Sequence, residues 1–251
     1  YKLEAYLYKK SFLVTGQTQG IVADINKRFN KVPTMWLPNG IDKDVYSFED
    51  IEILWLEEYG IQGKHLYMYA GIIGYAQGLD VIVKAKQWLM KNEPEIASGL
   101  EFVMIGDGPE KDRLEELDKE LETKIVFIPN TPKQKVMRMI KNASGYIVPL
   151  KKLNLFLGAI PSKIFDPLAL GIPVLLGVDG EARNIFIDQG KGGLFYEPEN
   201  HEALAKAIVQ IEHDKHLANR LGQQGKEYVE QNFDRKNIAM SFKTRVQALD
   251  S

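Results

Sequence analysis

With 251 residues, 45% of them hydrophobic and 26% charged, the sequence can bury one large core or two modest ones. A formal charge of -2 gives it no bulk attraction to nucleic acid or an anionic membrane, and the lack of cysteine excludes disulfides, thiolate nucleophiles and zinc-thiolate sites. No run approaches the roughly 18 consecutive apolar residues of a membrane span.

The sequence begins on Tyr1 and is expected to be part of a longer polypeptide. Its first ten residues, YKLEAYLYKK, read as an aromatic, lysine-rich helix that has lost its docking surface, with attachment to a membrane surface as the weaker expectation. Strands are expected at 12–15 and 34–37, followed by the turn Pro38-Asn39-Gly40 and an acidic, aromatic connector. Two strands and a helix cannot close a core. Residues 1–40 therefore read as the end of a preceding domain.

Beyond the connector, β-rich runs at 67–70, 101–105, 125–127, 146–148, 174–176 and 194–196 alternate with helical patterns at 79–90 and 110–121 and a charged helical series from 201 to 230. This alternation predicts an α/β fold, a Rossmann-like doubly wound parallel sheet covered on both faces, occupying residues 41–233. Ligands of such sheets bind at the carboxyl ends of the strands. The last stretch, 234–251, reads as a helix with apolar positions Ile238, Phe242 and Val246 and basic residues between them.

Three loops carry chemistry. In MYAGIIGYAQGLD, Gly71, Gly74 and Gly78 lie between a strand and a helix, where glycines let backbone amides approach a phosphate; spacing alone favours a plain tight turn. In MIGDGPEKDRL, Gly106 and Gly108 form a turn with Pro109 opening the next helix, and Lys111 stands where a dinucleotide fingerprint needs its third glycine. In AIPSKIFDPLALGIPVL, two readings stay open. Ser162 caps a helix whose amides and Lys163 hold a diphosphate, with Asp166 one turn on accepting from a sugar diol; or Asp166 is itself the cap, with Pro167 in the first helical position. The histidines are scattered, and the charged runs are expected to be solvated helix faces.

The succession LPNGID, YAGIIGYAQGLD, FVMIGDGP, NASGYIVPL, IPSKIFDPLALGIPVL and GLFYEPENHEALAKAI runs in order over nearly the whole sequence. It resembles the carboxyl-terminal half of GT-B glycosyltransferases, and more narrowly the retaining group 1 (family GT4) enzymes that build bacterial surface polysaccharides. The resemblance implies a nucleotide-sugar donor, UDP preferred over GDP, held by Gly71, Gly74, Gln77, Gly78, Pro161, Ser162, Lys163 and Asp166. Asp166 falls on the ribose-binding acid, and Lys163 joins it as a catalytic residue by stabilising the departing diphosphate. It further implies a glycan or lipid-linked acceptor bound through an amino-terminal half, no metal or cofactor, no nucleic acid, and a cytoplasmic setting, with the inner face of the membrane as a subsidiary location.

This sequence departs from the family pattern at Gly158, where the first of two acids belongs, at Asp166, shorter than the usual glutamate, and at Ile72 and Gln77, where many relatives carry an arginine and a lysine. Glu181 is expected near the donor sugar or as a helix cap. A non-catalytic nucleotide-sugar sensor or scaffold is the rival reading, favoured by Gly158.

Overall fold

The computed structural model describes residues 2–46, 48 and 53–250. Tyr1 and the connector residues 47 and 49–52, Ile51 among them, lie outside the described residues. The chain opens with α1 (Lys2–Lys10), β1 (Val14–Gly16), α2 (Gln19–Arg28) and β2 (Thr34–Trp36), then a 3-10 turn, Lys43–Tyr46. After α3 (Leu54–Glu58) come β3 (His65–Ala70), α4 (Asp80–Asn92), α5 (Pro94–Gly99), β4 (Leu100–Ile105), α6 (Lys111–Leu121), β5 (Val126–Ile128), α7 (Lys133–Ile140) and β6 (Ala143–Pro149). The remainder holds α8 (Phe165–Ala169), β7 (Val174–Gly177), α9 (Glu181–Arg183), β8 (Gly193–Phe195), α10 (His201–His213), α11 (Lys215–Asn232) and α12 (Arg235–Asp250).

All eight expected strands form. β1 and β2 pair in parallel, and β3 to β8 make a second, all-parallel sheet in the order β5-β4-β3-β6-β7-β8. That order is doubly wound, with its topological switch between β3 and β6. Both faces are covered, so the strands read as nearly continuous apolar runs. Along β3, Leu66 and Met68 enter one core cluster with α7, α8 and Phe233, while Tyr67 and Tyr69 enter the other with α4, α6 and α10.

The charged series from 201 to 230 is two helices. Asp214 breaks it: its Oδ1 accepts from Leu217 N at 2.9 Å and caps α11, as Asn200 caps α10 through Ala203 N. Three of the contacts among the described residues bring the first and second sheets together. Trp36 lies edge-on to Phe233, with ring centroids 6.0 Å apart; Ile41 is buried and pairs by backbone with Phe233 and Arg235; and Glu181 accepts from Gln19 N and Gly20 N at 2.6 and 2.9 Å. Of the two roles expected for Glu181, the structure gives it the cap, on α2.

Of the apolar positions of the final helix, Ile238 and Val246 are half-buried and Phe242 is exposed. No described residue of α12 is buried; its first turn meets the connector through Arg235 N, which donates to Ile41 O at 2.9 Å, through Lys236, which pairs with Asp44 at 2.8 Å, and through Ile238 beside Gly40. α1 exposes Leu3, Tyr6 and Leu7. No helix among the described residues is long and apolar enough to cross a membrane.

Candidate functional site

At the switch point the two central strands part. Pairing of β3 with β6 stops at Met68 and Tyr146. Beyond it the buried Tyr146 hydroxyl accepts from Ala70 N and donates to Ala70 O, both at 3.0 Å, supplying partners the parted strands no longer give each other. A crevice opens above, and two cavities occupy it. The larger, about 920 Å³, lies between α2 and the loop ahead of α8 and is lined by Gln17, Gly20, Ile72, Gln77 and Gly158 among others. The smaller, about 180 Å³, is lined by Asn130, Thr131, Lys133, Met137, Tyr146 and Asp166. Ala70, Gly71 and Lys163 line both and form the junction between them.

Lys163 reaches that junction over the face of Tyr69, its Nζ 4.1 Å from the ring centroid and 2.5 Å from the hydroxyl oxygen. The hydroxyl in turn donates to Ile72 O at 2.6 Å, fixing the turn that follows β3. Among the described residues no carboxylate pairs with Lys163. Burial therefore lowers its ammonium to about 7. Gly71 has φ +144°, and a Cβ there would stand 3.0 Å from Lys163 Nζ, so a side chain would both strain the turn and crowd the cation. The Ile72 N–H, on the wall of the larger cavity, finds no acceptor among the described residues.

Asp166 lines the smaller cavity. Its Oδ1 accepts from Tyr46 Oη at 2.5 Å and faces Lys133 Nζ at 3.2 Å. Burial and this carboxylate push the Tyr46 phenol well above its usual range.

The structure brings Gly71, Gln77, Pro161, Ser162 and Lys163 to the larger cavity, and Gly71, Lys163 and Asp166 to the smaller. Gly74 and Gly78 line neither. Gly74 precedes a 3-10 turn, Tyr75–Gln77, and Gly78 closes it in the left-handed region at φ +59°. That turn displaces α4 from the crevice, and Asp80 in its first turn is held by both terminal nitrogens of Arg113.

Neither helix reading of the Pro-Ser-Lys segment survives. Ser162 is exposed and begins a 3-10 turn, Ser162–Ile164, with no side-chain cap, and Asp166 lies inside the five-residue α8 rather than at its cap. Pro167 cannot donate to Lys163 O, so the segment starts tight and the α-helix is short. Its dipole is correspondingly small, and the positive charge of the junction comes from Lys163 itself. Gly158 faces open space, with nothing within 4 Å of a Cβ built there.

Sequence reasoning missed Tyr69, Tyr46, Tyr146, the Ile72 amide and the polar wall at 130–133. It also passed over Asp42-Lys43-Asp44, an Asp-x-Asp run. There Asp42 Oδ1 accepts from Asp44 N at 3.3 Å and Asp44 pairs with Lys236 at 2.8 Å, which is turn and clamp chemistry. No group of three or more His, Cys, Asp or Glu among the described residues is placed to hold a metal ion.

The doubly wound sheet with cavities at its switch point is the α/β arrangement in which a crevice at the carboxyl ends of the strands is the usual place for a ligand. The sequence model described as glycosyl transferases group 1 matches residues 54–228, and the chain belongs to that family. In structure it is similar to TarM from S. aureus, a variant solved with fondaparinux, alpha-GlcNAc-glycerol and UDP (TM-score 0.77, 15% identity, 98% of this chain and 46% of that one). It is similar also to HepE from Anabaena, in complex with UDP and glucose (0.80, 15%, 96% and 65%). Sucrose-phosphate synthase from Thermosynechococcus elongatus is a third (0.79, 19%, 99% and 61%). The fold is that of a GT-B glycosyltransferase domain, and the chain spans about half to two thirds of the length of these proteins. No curated protein sequence matches it.

Proposed function

We propose that this chain is the donor-binding part of a retaining glycosyltransferase that moves a sugar from a nucleoside diphosphate, UDP first, to an acceptor hydroxyl in cell-envelope polysaccharide synthesis. Residues 41–233 bind the donor, 1–40 end an acceptor-side domain, and 234–251 is a helix that docks on that domain. The observation that carries the reading is the shared junction: Lys163, Ala70 and Gly71 line both cavities, the order in which nucleoside, diphosphate and sugar are joined. The nucleoside fills the smaller cavity with its pentose on Asp166. The sugar projects into the larger one, beside Gln77 and Gly158.

Departure of the diphosphate develops negative charge at the junction. A preoriented ammonium and the Ile72 N–H stabilise that charge more as it grows than in the bound donor, which is what lowers a barrier. Lys163 has no carboxylate to leave before it engages a phosphate, so little of that interaction is lost to reorganisation. This chain's residues supply the compensating charge, with no metal in the scheme. Retention and the polysaccharide acceptor are supported by the motif resemblance. UDP is supported by that resemblance and by the UDP held in the TarM and HepE structures. The sensor reading is favoured by one feature, the missing side chain at Gly158.

Calorimetric titration with UDP and GDP tests the assignment. A charge-assisted contact contributes about 1.5–3 kcal/mol, so Lys163→Ala is expected to weaken UDP about 10- to 100-fold. Unchanged affinity removes the site. Slow release of the sugar from UDP-glucose with its anomeric configuration kept, followed by proton NMR, separates enzyme from sensor.

A further inference from the structure

We propose that Tyr46 is a positioning residue of the nucleotide site, its hydroxyl holding the Asp166 carboxylate by Oδ1 so that Oδ2 is left for the pentose. The proposal rests on the reading of Asp166 as the pentose acceptor. The Tyr46 hydroxyl donates to Oδ1 of Asp166 at 2.5 Å, Lys133 Nζ lies nearest the same oxygen at 3.2 Å as an ion pair, and Oδ2 takes no hydrogen bond among the described residues. Of the two, Lys133 is 63% exposed and solvent-screened. The Tyr46 ring packs against the core cluster that contains Phe165 and Phe233, so its hydroxyl is the fixed donor.

The connector is built to keep it there. Ile41 N donates to Phe233 O at 2.8 Å, Arg235 N donates to Ile41 O at 2.9 Å, and Lys43 pairs with Asp234 at 3.3 Å. These contacts clamp the chain immediately before the turn that delivers Tyr46. The phenol keeps its proton throughout the neutral range, since burial and the carboxylate both raise it, and it donates to Asp166 at any working pH. A hydrogen bond to an ionised acceptor is among the stronger ones, and an acid already held in place loses less freedom when a diol arrives. Tyr46 thus makes pentose recognition depend on the link between the two sheets.

The test compares UDP with 2′,3′-dideoxy-UDP by calorimetry on the wild type, Tyr46→Phe, Asp166→Asn and the double variant, with melting curves for each. The wild type is expected to prefer UDP about tenfold. Asp166→Asn loses that preference, Tyr46→Phe reduces it at least threefold at near-native melting temperature, and the double variant discriminates no worse than Asp166→Asn alone. Tyr46→Leu gives the same loss and serves if Tyr46→Phe is too unstable to titrate. Full preference in the Tyr46 variants with loss in Asp166→Asn overturns the role of Tyr46 and leaves the pentose reading standing. Full preference in Asp166→Asn overturns both.

Discussion

Lys163 stands at the junction of the two cavities with no carboxylate partner among the described residues. Lys163 is lowered to about 7 by burial, against about 10.4 in an unfolded chain. Between those values the unfolded chain binds the extra proton, so stability of the free protein rises with pH from about 7 to about 10, and the full cost of burying the ammonium is present below 7. Diphosphate binding selects the ammonium and so draws a proton in. At pH 8, UDP titrated in two buffers of different ionisation enthalpy is expected to show uptake approaching one proton per site, and affinity is expected to fall up to about tenfold per pH unit above 7. Lys163→Met abolishes both effects; buffer-independent heats in the wild type would contradict the assignment.

The lysine was legible because Pro-Ser-Lys ahead of an apolar run is a compact motif. Its partner was not. Tyr69 is 94 positions away and meets Lys163 only because β3 and β6 are neighbours in the finished sheet. The polar wall at 130–133 escaped for the same reason: it follows β5, the far edge strand, and nothing local ties it to Asp166.

Among the elements, the strands were readable and the turns were not. Strands buried on both faces leave apolar runs that no exposed helix imitates, so the six strands of the larger sheet appear where expected. The break at Asp214 needed one cap residue to outweigh a continuous charged pattern, and the 3-10 starts at Tyr75 and Ser162 depend on closure geometry that spacing does not record. The second glycine turn read as a plain one, yet it buttresses the first. Ile73 N donates to Asp107 O and Glu110 N to Ile73 O, and a Cβ on Gly106, at φ +144°, would stand 2.0 Å from Gly71 O. Gly106→Ala is expected to cost about 1–3 kcal/mol or more by overpacking and strain, and to weaken UDP by moving the Gly71 turn. Gly99→Ala, where an added Cβ meets nothing within 4 Å, is the near-neutral control in the same melting and titration series.

Across the whole molecule one aromatic residue, Phe233, contacts elements of both sheets. Phe233 is buried and lies 5.4 Å from Phe165, 5.3 Å from Phe186 and 6.0 Å from Trp36, so it touches the base of α8, the segment after β7 and the last strand of the first sheet at once. Phe233→Ala is expected to cost about 3–5 kcal/mol and to lower the melting temperature by about 10 °C in calorimetry. The loss should reach the site, because the backbone of Phe233 also holds Ile41 and the turn that carries Tyr46. The fold class was visible in the order of strands and helices. The dependence of the crevice on a contact between the two sheets was not, since it joins residues from both ends of the sequence.

The most direct measurement is a crystal structure of the protein with UDP. The account predicts the diphosphate at the junction of the two cavities, with a phosphate oxygen within hydrogen-bond reach of Lys163 Nζ and the pentose hydroxyls on Asp166. A diphosphate seated elsewhere, with Lys163 still resting on Tyr69, would contradict it.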